Sequence, residues 1–168
     1  MASQIRLALL SLCAAGFAAQ ANAASQNASV KATVVKPLTL TKIQDLNFGT
    51  VMLKTGVWAG ATVSVSRTGV RSCANANTIC TDTATQAQFN AAGSNSQTVK
   101  VTAPNVTLVN QSDATKTLLL TVDAPATIAL PNSGNKGLDF GVGGSITLTS
   151  TTVPGTYSGT LNVTVDYQ

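Results

Sequence analysis

Histidine is absent from the 168 residues, and so is glutamate. Without imidazole, no Ser-His-Asp or Cys-His nucleophile and no zinc–histidine centre can be assembled. The six acidic residues are all aspartates, and no two stand close enough in sequence to suggest an acid–base pair or an oxygen-rich cation site. Aromatic residues make up 4% of the chain, too few for a base-stacking platform. The basic residues, from Lys31 and Lys36 through Arg67 and Arg71 to Lys136, are dispersed, so the net charge of +4 outlines no phosphate-tracking groove. Nucleic acid is therefore not an expected partner, no metal or cofactor is implied, and an enzyme is disfavoured. Leu and Lys never keep a 3.6-residue period over three turns, so no helix is expected after the first residues.

The one long apolar run lies at the start. Arg6 supplies a positive charge, residues 7–19 are apolar apart from Ser11, and Ala21-Asn22-Ala23 spells an A-x-A cleavage site. This is the pattern of a secretory signal peptide over residues 1–23, cut between Ala23 and Ala24. A membrane anchor needs about 20 apolar residues, which this run does not reach. No later segment approaches that length, so no membrane span is expected in the mature chain. Export also decides the cysteines. Cys13 leaves with the signal, and Cys73 and Cys80 remain as a pair in an oxidising compartment, where a disulfide is expected. Two metal thiolates are the alternative, but the further Cys or His of a zinc site is missing.

What fills the rest is Thr and Val, β-branched residues suited to a pleated, half-buried surface. Alternating runs predict strands over 30–35, 38–43, 46–52, 61–66, 87–91, 98–103, 106–109, 117–123, 127–130, 144–149 and 159–167. Turn residues fall at 92–95, 131–135 and 153–155. Short strands at such spacing indicate an all-β protein, an antiparallel sandwich or barrel over residues 37–168 preceded by an N-terminal extension at 24–36.

Motif matches in this background carry little. Asp139-Phe140-Gly141 spells part of a kinase signature, but no phosphate loop or catalytic loop accompanies it. Gly141-Val142-Gly143-Gly144 lacks the Lys-Ser/Thr of a phosphate loop and is expected to be a flexible hairpin connection. Leu46-Asn47-Phe48-Gly49 and Leu138-Asp139-Phe140-Gly141 each read as a strand end where Phe enters the core. Trp58 reads as packing. Asn27, Asn105, Asn110 and Asn162 each begin an N-x-Ser/Thr sequon, open to glycosylation only in a eukaryotic secretory route.

The two ends are more informative. From Leu161 the last strand alternates, with Leu161, Val163, Val165 and Tyr167 on one face. Near the start, Ala28, Val30, Ala32 and Val34 alternate with Ser29, Lys31 and Thr33 until Lys36-Pro37 stops the run. Such a segment reads either as a plain first strand or as a detachable strand that completes another subunit's sheet, bonding an open edge and filling its pockets.

Gly155 fourteen positions from the end, the alternating Leu161, Val163 and Val165, and the next-to-last aromatic Tyr167 resemble the C-terminal strand of chaperone–usher pilus subunits. The opening VKATVVKPLTLTKIQDLNFGTV is similar to subunits of the archaic branch and to the spore-coat U type domain. The layout from Leu46-Asn47-Phe48-Gly49 to Gly155-Thr156-Tyr157-Ser158-Gly159-Thr160 resembles a family of exported bacterial domains without assigned function. The disulfide of the archaic subunits does not carry over, because Leu38 and Leu40 stand where those proteins place a Cys.

The resemblance implies an Ig-like β-sandwich short of one strand, with the strand from Gly155 to Tyr167 beside a groove. A periplasmic chaperone would fill that groove first, and the extension of the next subunit, through Ala28, Val30, Ala32 and Val34, would fill it later. The partners it implies are an outer-membrane usher and other pilus subunits, in a homopolymer or heteropolymer. The location it implies is the periplasm in transit, then a fimbrium at the cell surface. The rival expectation is a self-complete secreted binding or coat module whose N-terminal strand lies in its own sheet.

Overall fold

In a computed structural model, residues 24–168 are described; the expected signal segment lies outside them, and of the Ala23–Ala24 cleavage pair only Ala24 is among them. The chain divides into two units, Met1–Thr33 and Val34–Gln168. Residues 24–33 of the first form no regular element and are exposed throughout.

The described residues are all β, with no helix. Thirteen strands follow one another as β1 Thr39–Gln44, β2 Thr50–Leu53, β3 Ala61–Val65, β4 Arg71–Ser72, β5 Thr78–Thr81, β6 Ala87–Ala92, β7 Thr98–Thr102, β8 Val106–Asn110, β9 Thr117–Asp123, β10 Thr127–Ala129, β11 Leu138–Leu148, β12 Tyr157–Ser158 and β13 Thr164–Tyr167. All pairings are antiparallel. One sheet runs β1-β6-β11-β9-β8-β12, with β3 beside β11 and β4 beside β3; a second runs β10-β7-β13, and β2 pairs with β5 as a ribbon. The curled sheets make a β-sandwich-like fold.

Two apolar clusters fill it. In the first, Ala87, Phe89 and Ala91 of β6 and Phe140 and Val142 of β11 meet Val99 and Val101 of β7. Phe89 and Phe140 lie opposite each other in the ladder and stack, with ring centroids 5.9 Å apart. In the second, only Val63, Leu120, Ile146 and Leu148 are buried, while Leu46, Phe48, Val51, Val106, Leu108 and Leu118 stay partly open around them.

The glycine-rich run is not a hairpin connection, as its composition suggested. Gly141, Gly143 and Gly144 lie inside β11, an eleven-residue strand that exchanges neighbours there. Leu138–Val142 pair with β6, whereas from Gly143 onward the partners are β9 and β3. The reason is steric. A Cβ on Gly141 would collide with the Arg67 carbonyl oxygen and one on Gly143 with that of Val65, because the backbone of residues 65–67, where the chain leaves β3, packs directly against this stretch. Glycine here admits a close approach of backbone to backbone. Phe140 accordingly sits within a strand rather than at its end.

Other expectations change for want of a neighbour. Residues 30–35 form no strand, because no strand among the described residues pairs with them and an isolated extended segment leaves its backbone groups to water. The run at 46–52 resolves into a single bridge, Asn47 to Thr85, followed by β2. The terminal strand begins at Thr164 instead of residue 159, since β7 offers partners only from Thr102 back to Val99.

Candidate functional site: an apolar groove between two strand edges

The second cluster is half-built because the sheet around it is open. β1 and β12 are the two ends of one sheet, and among the described residues each has a neighbour on one side only. A groove of about 1030 Å³ lies between the segment that runs from the end of β1 through β2 and the segment around β12, walled by residues 44–53 on one side and 152–161 on the other. Its floor is apolar, made by Val106, Leu108, Leu118, Leu120, Ile146 and Leu148. The strands in the groove's walls, β2 and β12, are each paired on one side only among the described residues, and such strand edges offer unpaired N–H and C=O groups beside the hydrophobic pockets of the floor. That combination suits an extended peptide far better than a compact polar ligand.

The first wall is braced from behind. β2 pairs with β5, placing Val51 opposite Cys80, and Cys80 is joined to Cys73 by the expected disulfide, with Cα atoms 6.2 Å apart. Arg71 donates from Nη1 to the carbonyls of Phe48 (3.0 Å) and Thr81 (2.7 Å), tying the Phe48-Gly49 corner to the ribbon. Gly49 turns there at φ +71°, a left-handed conformation that glycine adopts without strain. Trp58 packs against the same cluster and donates its indole N–H to the Lys54 carbonyl at 3.1 Å.

The second wall hangs on Asn110. That side chain is 1% exposed, accepts from the N–H groups of Ser112 and Asp113, and donates to the Pro154 carbonyl at 3.3 Å. Gly155, at φ +148°, presses against it, since a Cβ would stand 2.5 Å from Asn110 Nδ2. Asn110 is thus a buried structural hub and cannot carry a glycan, although it begins a sequon; Asn27, Asn105 and Asn162 are exposed. In the adjoining turn the Thr115 hydroxyl and then the Thr115 amide hold the Asp113 carboxyl below the usual range.

The terminal residues extend this wall. Leu161, Val163, Val165 and Tyr167 are half-buried against the first cluster, while Asn162, Thr164 and Asp166 face solvent. Leu161 and Gly155 line the groove; Val163, Val165 and Tyr167 do not. Ala28, Val30, Ala32 and Val34 are all exposed, Val30 at 95% and Val34 at 93%.

The sequence reading missed the floor. Leu108, Leu118 and Ile146 alternate like any core residues, and nothing local distinguishes an apolar side chain that ends in a groove from one that ends in a closed core. It also missed β5, although Thr78-Ile79-Cys80-Thr81 carries the β-branched signal of a strand.

Residues 38–167 match a family described as a domain of unknown function (DUF4402). Neither a curated protein nor a solved structure matches the chain. The match covers most of the chain, which belongs to the DUF4402 family.

Proposed function

We propose that this DUF4402 protein is an exported structural subunit of a surface fibre, joined to its neighbours by donor-strand exchange. The observation that carries the reading is the groove: two unpaired strand edges over an apolar floor, in a chain whose own alternating segment at residues 28–34 stands unpaired and exposed. Inserted into another copy's groove, that segment places Ala28, Val30, Ala32 and Val34 against the floor and turns Ser29, Lys31 and Thr33 to solvent. Its main chain bonds both rims at about 1 kcal/mol per hydrogen bond, which the small side chains make necessary. The resemblance of the C-terminal strand to chaperone–usher subunits adds a periplasmic chaperone as first occupant and an outer-membrane usher as the assembly site. No step calls for a cofactor or a catalytic group.

The test uses the full chain with Val30→Asp and Val34→Asp, which disables the donor and leaves the groove intact. Wild-type protein is expected to form multimers as concentration rises, while the variant stays monomeric and melts low. A peptide of residues 24–36 should then raise the variant's melting temperature by mass action, by the equivalent of about 2.7 kcal/mol at a hundredfold excess over Kd. High-melting wild-type monomers with no response to the peptide in either protein would replace the fibre subunit with a self-complete secreted binding or coat module.

A further inference from the structure

Lys36, at the root of the N-terminal segment, is held on both sides of its backbone. Its N–H donates to Ser94 Oγ at 2.6 Å, and its carbonyl accepts from the Tyr167 hydroxyl at 2.7 Å. The same hydroxyl accepts from the Ser94 N–H at 2.7 Å, closing a ring of three hydrogen bonds. The phenol thereby uses its one donor on Lys36 and a lone pair on Ser94. Lys36 Nζ adds a bond to Asn135 Oδ1 at 3.2 Å. The ring joins three places remote in sequence: the end of the extension, the turn after β6 and the last strand. Space for it depends on Gly93, where a Cβ would strike the Tyr167 hydroxyl and come within 2.8 Å of Leu38 Cδ2.

The position of this ring bears on a choice the chain must make. For the extension to pair alongside its own β1, which begins at Thr39, the backbone has to reverse direction before that strand. The tightest reversal is a β-turn over residues 36–39, with Pro37 at its second position and the Lys36 carbonyl bonded to the Thr39 N–H. That turn brings a second donor, the Thr39 N–H, to the carbonyl that Tyr167 already holds, so the two must share its lone pairs, and it puts Leu38 at the corner, whereas Leu38 packs against the first apolar cluster. A wider reversal that leaves Lys36 in place draws its loop residues from Val35 and Val34 backward, removing an apolar anchor from the donor segment.

We infer that the Lys36–Ser94–Tyr167 ring is a clasp that keeps the chain's own extension out of its own groove, so that the groove is left for a second copy. Tyr167 is in this sense a positioning residue for assembly. The inference rests on the donor-strand reading and adds to it what biases insertion between copies over insertion within one.

The experiment compares full-length wild type with Tyr167→Phe, which keeps the ring and removes the hydroxyl, and with Ser94→Ala, which removes only the acceptor for Lys36. Hydrogen exchange should show the Ser94 amide about tenfold faster in Tyr167→Phe and the Lys36 amide similarly faster in Ser94→Ala. After refolding, light scattering separates multimers from monomers. Monomers are then melted with and without the 24–36 peptide, which a self-filled groove ignores. The clasp predicts that both variants shift the population from multimers toward high-melting, peptide-insensitive monomers, about tenfold for Tyr167→Phe, where two hydrogen bonds are lost. Faster exchange with an unchanged partition in Ser94→Ala overturns the clasp, even if Tyr167→Phe folds poorly. If the peptide also stabilises the donor-disabled Val30→Asp, Val34→Asp chain, the donor-strand reading survives that result; if the peptide stabilises nothing, both fall.

Discussion

Single substitutions in the donor peptide give the sharpest test of how the groove is filled. In the free chain Val30 and Val34 are 95% and 93% exposed, so insertion brings almost their whole side-chain surface out of water. Val→Ala removes two methyl groups, each worth about 0.8 kcal/mol on burial, or about 1.6 kcal/mol per site and roughly fifteenfold in Kd. In an extended strand, residues four apart are separated by about 13 Å, far enough for the two losses to add to roughly two hundredfold. Lys31 and Thr33 lie on the opposite face, where replacement with Ala is expected to change Kd by about twofold or less. The assay titrates fluorescently labelled 24–36 peptides with the full-length Val30→Asp, Val34→Asp chain and reads anisotropy. The two-residue period is the diagnostic feature, because a nonspecific apolar contact has none. Equal losses at 30, 31, 33 and 34, or no loss at any of them, would refute strand insertion with these anchors.

Three further outcomes follow from the fold. Gly141→Ala brings a Cβ against the Arg67 carbonyl, a backbone atom that cannot swing aside, and should cost about 2–3 kcal/mol, lowering Tm by roughly 5–10 °C in a thermal melt. Val165→Asp places a charge against Val101 in the ladder and on the first cluster, at a cost of about 2–4 kcal/mol; expression in the exporting host should yield little folded protein, and wild-type yield would show that face to be solvated. Reduction of the Cys73–Cys80 bond, which closes a loop of sequence separation 7, should remove about 2–3 kcal/mol; intact mass before and after reduction differs by two hydrogens, and free thiols at both positions in the exported protein would contradict the bond.

The residues alone carried the fold class, because β-branched content and a two-residue period are local properties that survive in any tertiary setting. Val63, Val65, Phe89, Val99 and Val101 could all be placed on buried faces from alternation. The disulfide was legible from the compartment and from having only two cysteines left to pair. The alternation of Leu161, Val163, Val165 and Tyr167 was equally plain.

What only the tertiary structure decided concerns neighbours. Whether residues 30–35 form a strand depends on a partner edge, and no pattern within those residues says whether one is free. The run Gly141-Val142-Gly143-Gly144 has the composition of a loop, and only the backbone of residues 65–67 packed against it explains glycine in a central strand. The groove is the clearest case. Leu108 and Leu118 look like core, and it is the way the chain sets residues 44–53 and β12 on opposite sides of a cleft that leaves them half-buried in its floor. The ring of Lys36, Ser94 and Tyr167 lies further still from local reading, since its members are 58 and 73 residues apart in successive bonds. Hydrogen-bond partners at such separations are set by how the chain closes on itself, which depends on the packing of every strand between them.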